Sequence, residues 1–429
     1  MAHLEDAERG AVQPAALRAE PAPLAHVAVI GGGTMGSGIA WALLMAGTRV
    51  TLIEADADGA VRAGEMIARL SDQALARGKI DAAGAQARAE ALTTTTDYAE
   101  ASGATLAIEA AYESMAVKRA VFAALDAALP AEAVLATNTS YLDIDEIAAG
   151  TRDPARVVGL HFFSPAHIMK LLEIVRGAQT SDRALATGFA LARLLRKIPV
   201  VAGVCDGFIG NRILARQREA ADTLLMDGTN PWELDEAMED FGYTLGPYAQ
   251  QDLAGLDIAH ANRRRQDATR DPARRYIPIS DRMVAEGRLG RKVGVGWYRY
   301  PGGQRVIDPL VEDLVREEAH FEGVTRVDYT PEEIRRRLLL AMINEAAAIL
   351  SEGVAASASD IDLVTVHGYG FPRRKGGLMR YADSLGPAAV LAGLEALAQE
   401  DPLAWAPAPM IRDCAARGIA FADWRAAPG

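Results

Sequence analysis

Cysteine is almost missing from this chain of 429 residues, which has only Cys205 and Cys414. Two thiols make no disulfide framework, so a reducing compartment, the cytoplasm, is expected. Long apolar runs are missing too. None approaches the roughly twenty residues of a membrane span, so no membrane is expected as a partner. Basic residues are outnumbered, 45 Lys+Arg against 57 Asp+Glu. The resulting charge of −12 argues against nucleic acid or an anionic lipid surface as the main partner. The start lacks the basic end and apolar core of a signal peptide. Its Ala, Pro, Glu5, Asp6 and Glu8 predict a poorly ordered arm over 1–23. No resident metal is expected.

Hydrophobic residues, by contrast, make up 50% of the chain, ample material for cores. The length is too great for one core and suggests about two to four domains.

The most informative stretch is Ala25 to Glu54. Val27–Ile30 is a β-branched run, the mark of a strand buried on both faces. Gly31, Gly33 and Gly36 then form G-x-G-x-x-G and open a helix that Gly47 stops. Val50–Ile53 is a second buried strand, ending in Glu54. Gly31 permits the tight turn, Gly33 lets a pyrophosphate approach the backbone, and Gly36 allows close packing. Glu54, about twenty residues on, can accept hydrogen bonds from a ribose 2′-hydroxyl and would repel a 2′-phosphate. The unit therefore predicts NAD rather than NADP. The bland alternative is a glycine-rich turn in an ordinary α/β domain.

Ala57 to Ala91 has helical periodicity with a break near Arg77-Gly78-Lys79, which predicts a helical hairpin. Short strands follow at 104–109, 133–136, 156–160, 171–175 and 198–202, alternating with helices. This pattern predicts a mostly parallel, doubly wound sheet. Beyond Asp206 the strand signal fades into helices. Arg263–Arg265 with Arg270, Arg274 and Arg275 is a basic cluster, read as a solvated face rather than a phosphate site. The markers Gly228, Asp235 and Gly242 recur as Gly353, Asp360 and Gly368, about 125 residues on, and indicate a duplicated helical unit.

Few polar residues suit a reaction centre. His161 ends a strand at the edge of the sheet where ligands bind. Imidazole titrates near neutrality and can take a proton from an alcohol. Glu173, on the next strand, can hold the other ring N–H. A lone histidine in such a place is more often structural. His167, in a loop and expected to be exposed, is the weaker rival.

At these residues the chain resembles the L-3-hydroxyacyl-CoA dehydrogenases, specifically the dehydrogenase part of multifunctional fatty-acid β-oxidation enzymes. The matching runs are Gly31 to Gly38, Thr137-Asn-Thr-Ser140, His161 to Pro165 with Met169 to Glu173, Gly207 to Arg212, Gly246-Pro247, and Gly290 to Tyr298. Gly368-Tyr-Gly-Phe-Pro372, Gly376-Gly377 and Tyr381-Ala-Asp383 are similar to the second helical domain of the multifunctional forms. The resemblance implies an α/β Rossmann-like NAD-binding domain at 24–204, a first helical domain at 205–300, a linker at 301–330 and a second helical domain at 331–429.

It also implies roles. His161 is the general base, Glu173 its orienting partner, Ser140 a hydrogen-bond donor to the reacting oxygen, and Asn211 a positioning residue entering from the first helical domain. The active site would then be an interdomain cleft. Gly31, Gly33, Thr34, Met35, Gly36, Glu54, Glu113, Lys118 and Asn138 fall on cofactor-binding positions. The hairpin after Glu54 would hold part of the CoA. The implied substrate is an acyl-CoA and the cofactor NAD. The implied assembly is a monomer, the second helical domain standing in for a partner, or a homodimer.

Two departures stand out. The hydratase/isomerase half of the multifunctional enzymes is not present, so no hydratase activity is expected. Ser164 and Cys205-Asp-Gly-Phe208 look like the multifunctional type. The rival functions are a dehydrogenase of a polar hydroxy acid or sugar acid, and a non-catalytic NAD-binding relative.

Overall fold

The computed structural model describes residues 2–12 and 17–425. The chain forms two compact units: Met1–Asn211 with Gly353–Tyr369, and Arg212–Glu352 with Gly370–Gly429.

The first unit is built on an eight-stranded sheet. Its strands are β1 (His26–Ile30), β2 (Arg49–Ile53), β3 (Leu92–Thr95), β4 (Leu106–Glu109), β5 (Val134–Thr137), β6 (Val157–Phe162), β7 (Leu171–Arg176) and β8 (Ile198–Gly203). Their order is β3-β2-β1-β4-β5-β6-β7-β8. All neighbours are parallel except β6 and β7. The apolar runs at the centre of the sheet are buried along their length, because helices cover both faces. The covering elements are α1 (Ala2–Val12), α2 (Thr34–Met45), α3 (Ala57–Ala76), α4 (Ala82–Glu90), α5 (Met115–Ala128), α6 (Ile144–Ala148) and α7 (Asp182–Leu194). Val29, Ile39, Leu43, Leu52, Ile108 and Leu160 share one core.

The N-terminal arm expected over 1–23 is corrected in part. Residues 2–12 are helical, and Leu4 is fully buried. Leu4 is set among charged neighbours, which hid the helix. Residues 1 and 13–16 lie outside the described residues.

The α3–α4 hairpin matches the periodicity. Each helix starts on an aspartate, Asp56 and Asp81, which accepts the backbone N–H three residues on, from Gly59 and Gly84.

The second unit is helical. α8 (Gly210–Asp227) begins in the first unit and continues here. It is followed by α9 (Pro231–Phe241), α10 (Pro247–Ala254), α11 (Leu256–Gln266), α12 (Ile279–Ala285), α13 (Pro309–Phe321) and α14 (Pro331–Ser351). The linker expected at 301–330 therefore contains a helix. Pro309 opens α13 behind the Asp308 cap, and Val311, Leu314, Val315 and Ala319 make one buried stripe. Its mixed charges, Glu312, Asp313, Arg316, Glu317 and Glu318, masked that stripe.

α15 (Ala358–Tyr369) groups with the sheet of the first unit rather than with the second helical domain. The backbone N–H of Gly203, at the end of β8, donates to Val354 O at 2.8 Å, which draws this segment to the sheet. α16 (Leu378–Leu385), α17 (Pro387–Leu397) and α18 (Pro409–Arg417) complete the second unit. Among the described residues no helix is long and apolar enough to cross a membrane.

Candidate active site

The turn between β1 and α2 needs two of its glycines for backbone reasons. Gly31 has φ +90°, and a Cβ there would lie 2.8 Å from Ala110 O. A Cβ at Gly36 would lie 1.7 Å from Gly31 O, so helix and turn can approach only with glycine. Gly33 is different. Nothing stands within 4 Å of its notional Cβ, so packing does not require a glycine there. The space beside it is open, as a pyrophosphate-binding turn requires. No side chain caps α2, which leaves the first-turn N–H groups around Thr34 and Met35 available to an anion. Glu54 follows β2. Its Oε1 accepts the Gly32 N–H at 2.5 Å and its Oε2 the Ala55 N–H at 3.2 Å. The carboxylate therefore braces the glycine turn. These residues fit a dinucleotide.

Behind the turn lies a polar network, buried at Glu109, Lys118, Thr137 and Thr139 and reaching the surface at Glu113. Lys118 Nζ donates to Glu109 Oε1 and Oε2 at 2.9 and 3.0 Å and lies 3.1 Å from Glu113 Oε2. Glu109 Oε2 also accepts the Thr137 hydroxyl at 2.7 Å. Glu113 Oε1 accepts the Thr139 hydroxyl at 2.6 Å and the Ser140 N–H at 2.9 Å. Asn138 Oδ1 accepts the Phe162 N–H at 2.9 Å, tying the Thr137–Ser140 loop to β6. Sequence reasoning missed Glu109. The available signal was an acid ending the buried run Leu-Ala-Ile-Glu.

The antiparallel pairing of β6 with β7 puts His161 directly opposite Glu173. His161 Nδ1 is 2.7 Å from Glu173 Oε2. A carboxylate only accepts, so Nδ1 carries a hydrogen, and in the neutral ring Nε2 is the acceptor. The other oxygen, Oε1, accepts the N–H groups of Ile209 and Gly210 at 3.2 and 2.9 Å, where α8 begins. The start of α8 thus holds the carboxylate in place. Ser140 Oγ is 3.2 Å from His161 Nε2. Three of the four expected catalytic residues are therefore joined in one chain of hydrogen bonds. Asn211 follows Gly210 directly, and its Oδ1 accepts the hydroxyl of Tyr369 on α15 at 2.7 Å. All four belong to the first compact unit, whereas Asn211 was expected to enter from a separate helical domain.

His167 differs from expectation: it is half-buried, not exposed. Burial first, then the charges of Lys197, Lys79 and Arg77, hold its pKa below the ordinary range. Lys197 Nζ donates to Ala166 O and Met169 O, and burial pushes its pKa down to about 8. The basic cluster at 263–275 is engaged in structural pairs. Arg263 and Arg264 meet Asp281, Arg274 meets Glu219, and Arg275 meets Asp227.

Residues 26–205 match the family model described as 3-hydroxyacyl-CoA dehydrogenase, NAD binding domain. Residues 207–300 and 334–419 match that of the 3-hydroxyacyl-CoA dehydrogenase C-terminal domain, so one helical model fits twice. Among curated proteins, the peroxisomal bifunctional enzyme of Cavia porcellus is 39% identical over 394 residues, covering 89% of this chain and 54% of that protein. The Homo sapiens protein of the same name is 40% identical over 397 residues, with the same coverage. The chain thus spans about half the length of the curated relatives it matches. Among solved structures, a 3-hydroxybutyryl-CoA dehydrogenase from Escherichia coli superposes with a TM-score of 0.80 at 28% identity, covering 92% of this chain and 99% of that one. The dehydrogenase part of multifunctional enzyme 1 from C. elegans gives 0.69 at 26% identity, with 96% of each chain covered.

Proposed function

Because the chain belongs to the 3-hydroxyacyl-CoA dehydrogenase family, we propose that it oxidises an L-3-hydroxyacyl-CoA to the 3-oxoacyl-CoA with NAD. The observation that carries this reading is the hydrogen-bonded series Ser140–His161–Glu173 beside an open glycine turn.

His161 Nε2 takes the proton of the substrate 3-hydroxyl. Glu173 fixes the tautomer through Nδ1–H and stabilises the imidazolium as it forms. With substrate bound, the Ser140 hydroxyl turns from His161 Nε2 to donate to the reacting oxygen. Asn211 positions the acyl end, and the α3–α4 hairpin holds part of the CoA. Gly31, Gly33, Thr34, Met35 and Gly36 hold the pyrophosphate, Glu54 the adenosine ribose, and Glu113, Lys118 and Asn138 line the nicotinamide side. NAD, when bound, accepts the hydride that leaves the substrate 3-carbon.

The double match of one helical model supports a monomer in which the second repeat replaces a partner subunit. A homodimer is the competing arrangement, and light scattering separates the two. The free thiols Cys205 and Cys414 support a reducing compartment such as the cytoplasm, although the curated relatives carry peroxisomal names.

The test is NADH oxidation, followed by its near-ultraviolet absorbance, with acetoacetyl-CoA and longer 3-oxoacyl-CoAs and with NADPH as control. NADH-specific turnover is the expected result. NADH binding without turnover on any thioester would overturn the proposal.

A further inference from the structure

The hydrogen bond between Tyr369 and Asn211 joins a residue far along the chain to the candidate site, and its surroundings show how it is built. Gly210 leaves no room for a side chain. A Cβ there would stand 3.0 Å from the Tyr369 ring and 3.2 Å from Phe163. A Cβ at Gly368 would stand 2.9 Å from Leu171, on β7. Both glycines let α15 approach closely, and the phenol oxygen then reaches Asn211 Oδ1 at 2.7 Å. The Tyr369 ring meets Phe163 edge-on with centroids 5.6 Å apart, and Phe163 lies 4.6 Å from the His161 ring. α15 is held in turn by α1: His367 Nε2 is 2.8 Å from Glu8 Oε1, and His3 Nε2 is 3.6 Å from Asp362 Oδ2.

A phenol O–H that donates to the amide oxygen fixes which way the amide faces. The Asn211 NH₂ group is then committed as a donor on its other side. An amide without that partner could present either end. We propose that Tyr369 is a positioning residue, supplied by the second helical repeat, that sets the Asn211 amide to donate to the bound substrate. This inference rests on the dehydrogenase reading above.

Tyr369→Phe keeps the ring packing and removes only the hydroxyl. Steady-state turnover of acetoacetyl-CoA with NADH is compared for wild type, Tyr369→Phe, Asn211→Ala and the double variant. The single Tyr369→Phe change is expected to lower kcat about tenfold, the worth of one well-placed hydrogen bond, with the NADH dissociation constant unchanged and the thermal midpoint only slightly lower. In the Asn211→Ala background it is expected to cost nothing further. Wild-type kcat in Tyr369→Phe would overturn the inference while leaving the dehydrogenase reading intact. A loss that adds in full to that of Asn211→Ala, or one accompanied by an equal loss of NADH binding, would also overturn it. Absence of turnover in the wild type would overturn both.

Discussion

Lys118 and Glu109 form an ion pair inside the first unit, with side chains 1% and 0% exposed. Such a pair persists because each charge is fully engaged. Glu109 accepts from Lys118, from Thr137 and from the Ala111 N–H at 2.7 Å. Removing the cation strands a buried carboxylate. Lys118→Met is therefore expected to lose about 3–5 kcal/mol of stability. Urea denaturation followed by circular dichroism measures it, and a loss below about 1 kcal/mol would contradict the account.

The His161–Glu173 pair makes a kinetic prediction. His161→Ala is expected to lower kcat by about 10²–10⁴ with NADH affinity retained, since only the base is lost. Glu173→Gln can place an amide N–H against Nδ1–H, which disfavours the required tautomer, so a fall of similar size is expected. Fluorescence titration of NADH beside the turnover assay separates the cases. Equal loss of NADH binding would mark Glu173 as a folding residue instead.

Glu54 sets the cofactor preference. Glu54→Gln removes the charge that opposes a 2′-phosphate and weakens the bond to the ribose. The NADH dissociation constant is expected to rise about tenfold or more, with the preference over NADPH narrowed. Because Glu54 also accepts the Gly32 N–H, the thermal midpoint should fall slightly. An unchanged cofactor ratio would remove Glu54 from the ribose site.

Asp235, on α9, lies buried in the second unit and accepts from the Tyr248 and Ala249 N–H groups and from the Tyr298 hydroxyl. Burial raises its pKa to about 7, against the pull of those hydrogen bonds. From the ordinary carboxylate range up to about pH 7 the folded protein keeps a proton that the unfolded chain has released. Its contribution to stability therefore falls as pH rises through that window. Urea midpoints between about pH 5 and 8 should decline more steeply for the wild type than for Asp235→Asn. Parallel curves would show that Asp235 does not titrate there.

How much of this was legible in the residues differs from place to place. The β1–α2–β2 unit could be read outright, because Gly31 and Gly36 are demanded by local backbone geometry and the strands by short β-branched runs. The α3–α4 break at Gly78 was legible for the same reason. The helix over 2–12 and α13 were not, since their apolar positions are few and set among charges. His167 was misjudged because burial depends on what packs over a loop.

By itself the sequence determined the nucleotide-binding turn, the alternation of strands and helices, and the repeat marked by Gly228 and Gly353. These rest on local steric and hydrophobic periodicities. Only the tertiary structure decided that β7 runs antiparallel to β6, which sets Glu173 opposite His161. It alone assigned α15 to the sheet-bearing unit and brought Tyr369 to Asn211, 158 positions earlier in the chain. Strand direction and long-range docking depend on which surfaces meet, and no local pattern records that.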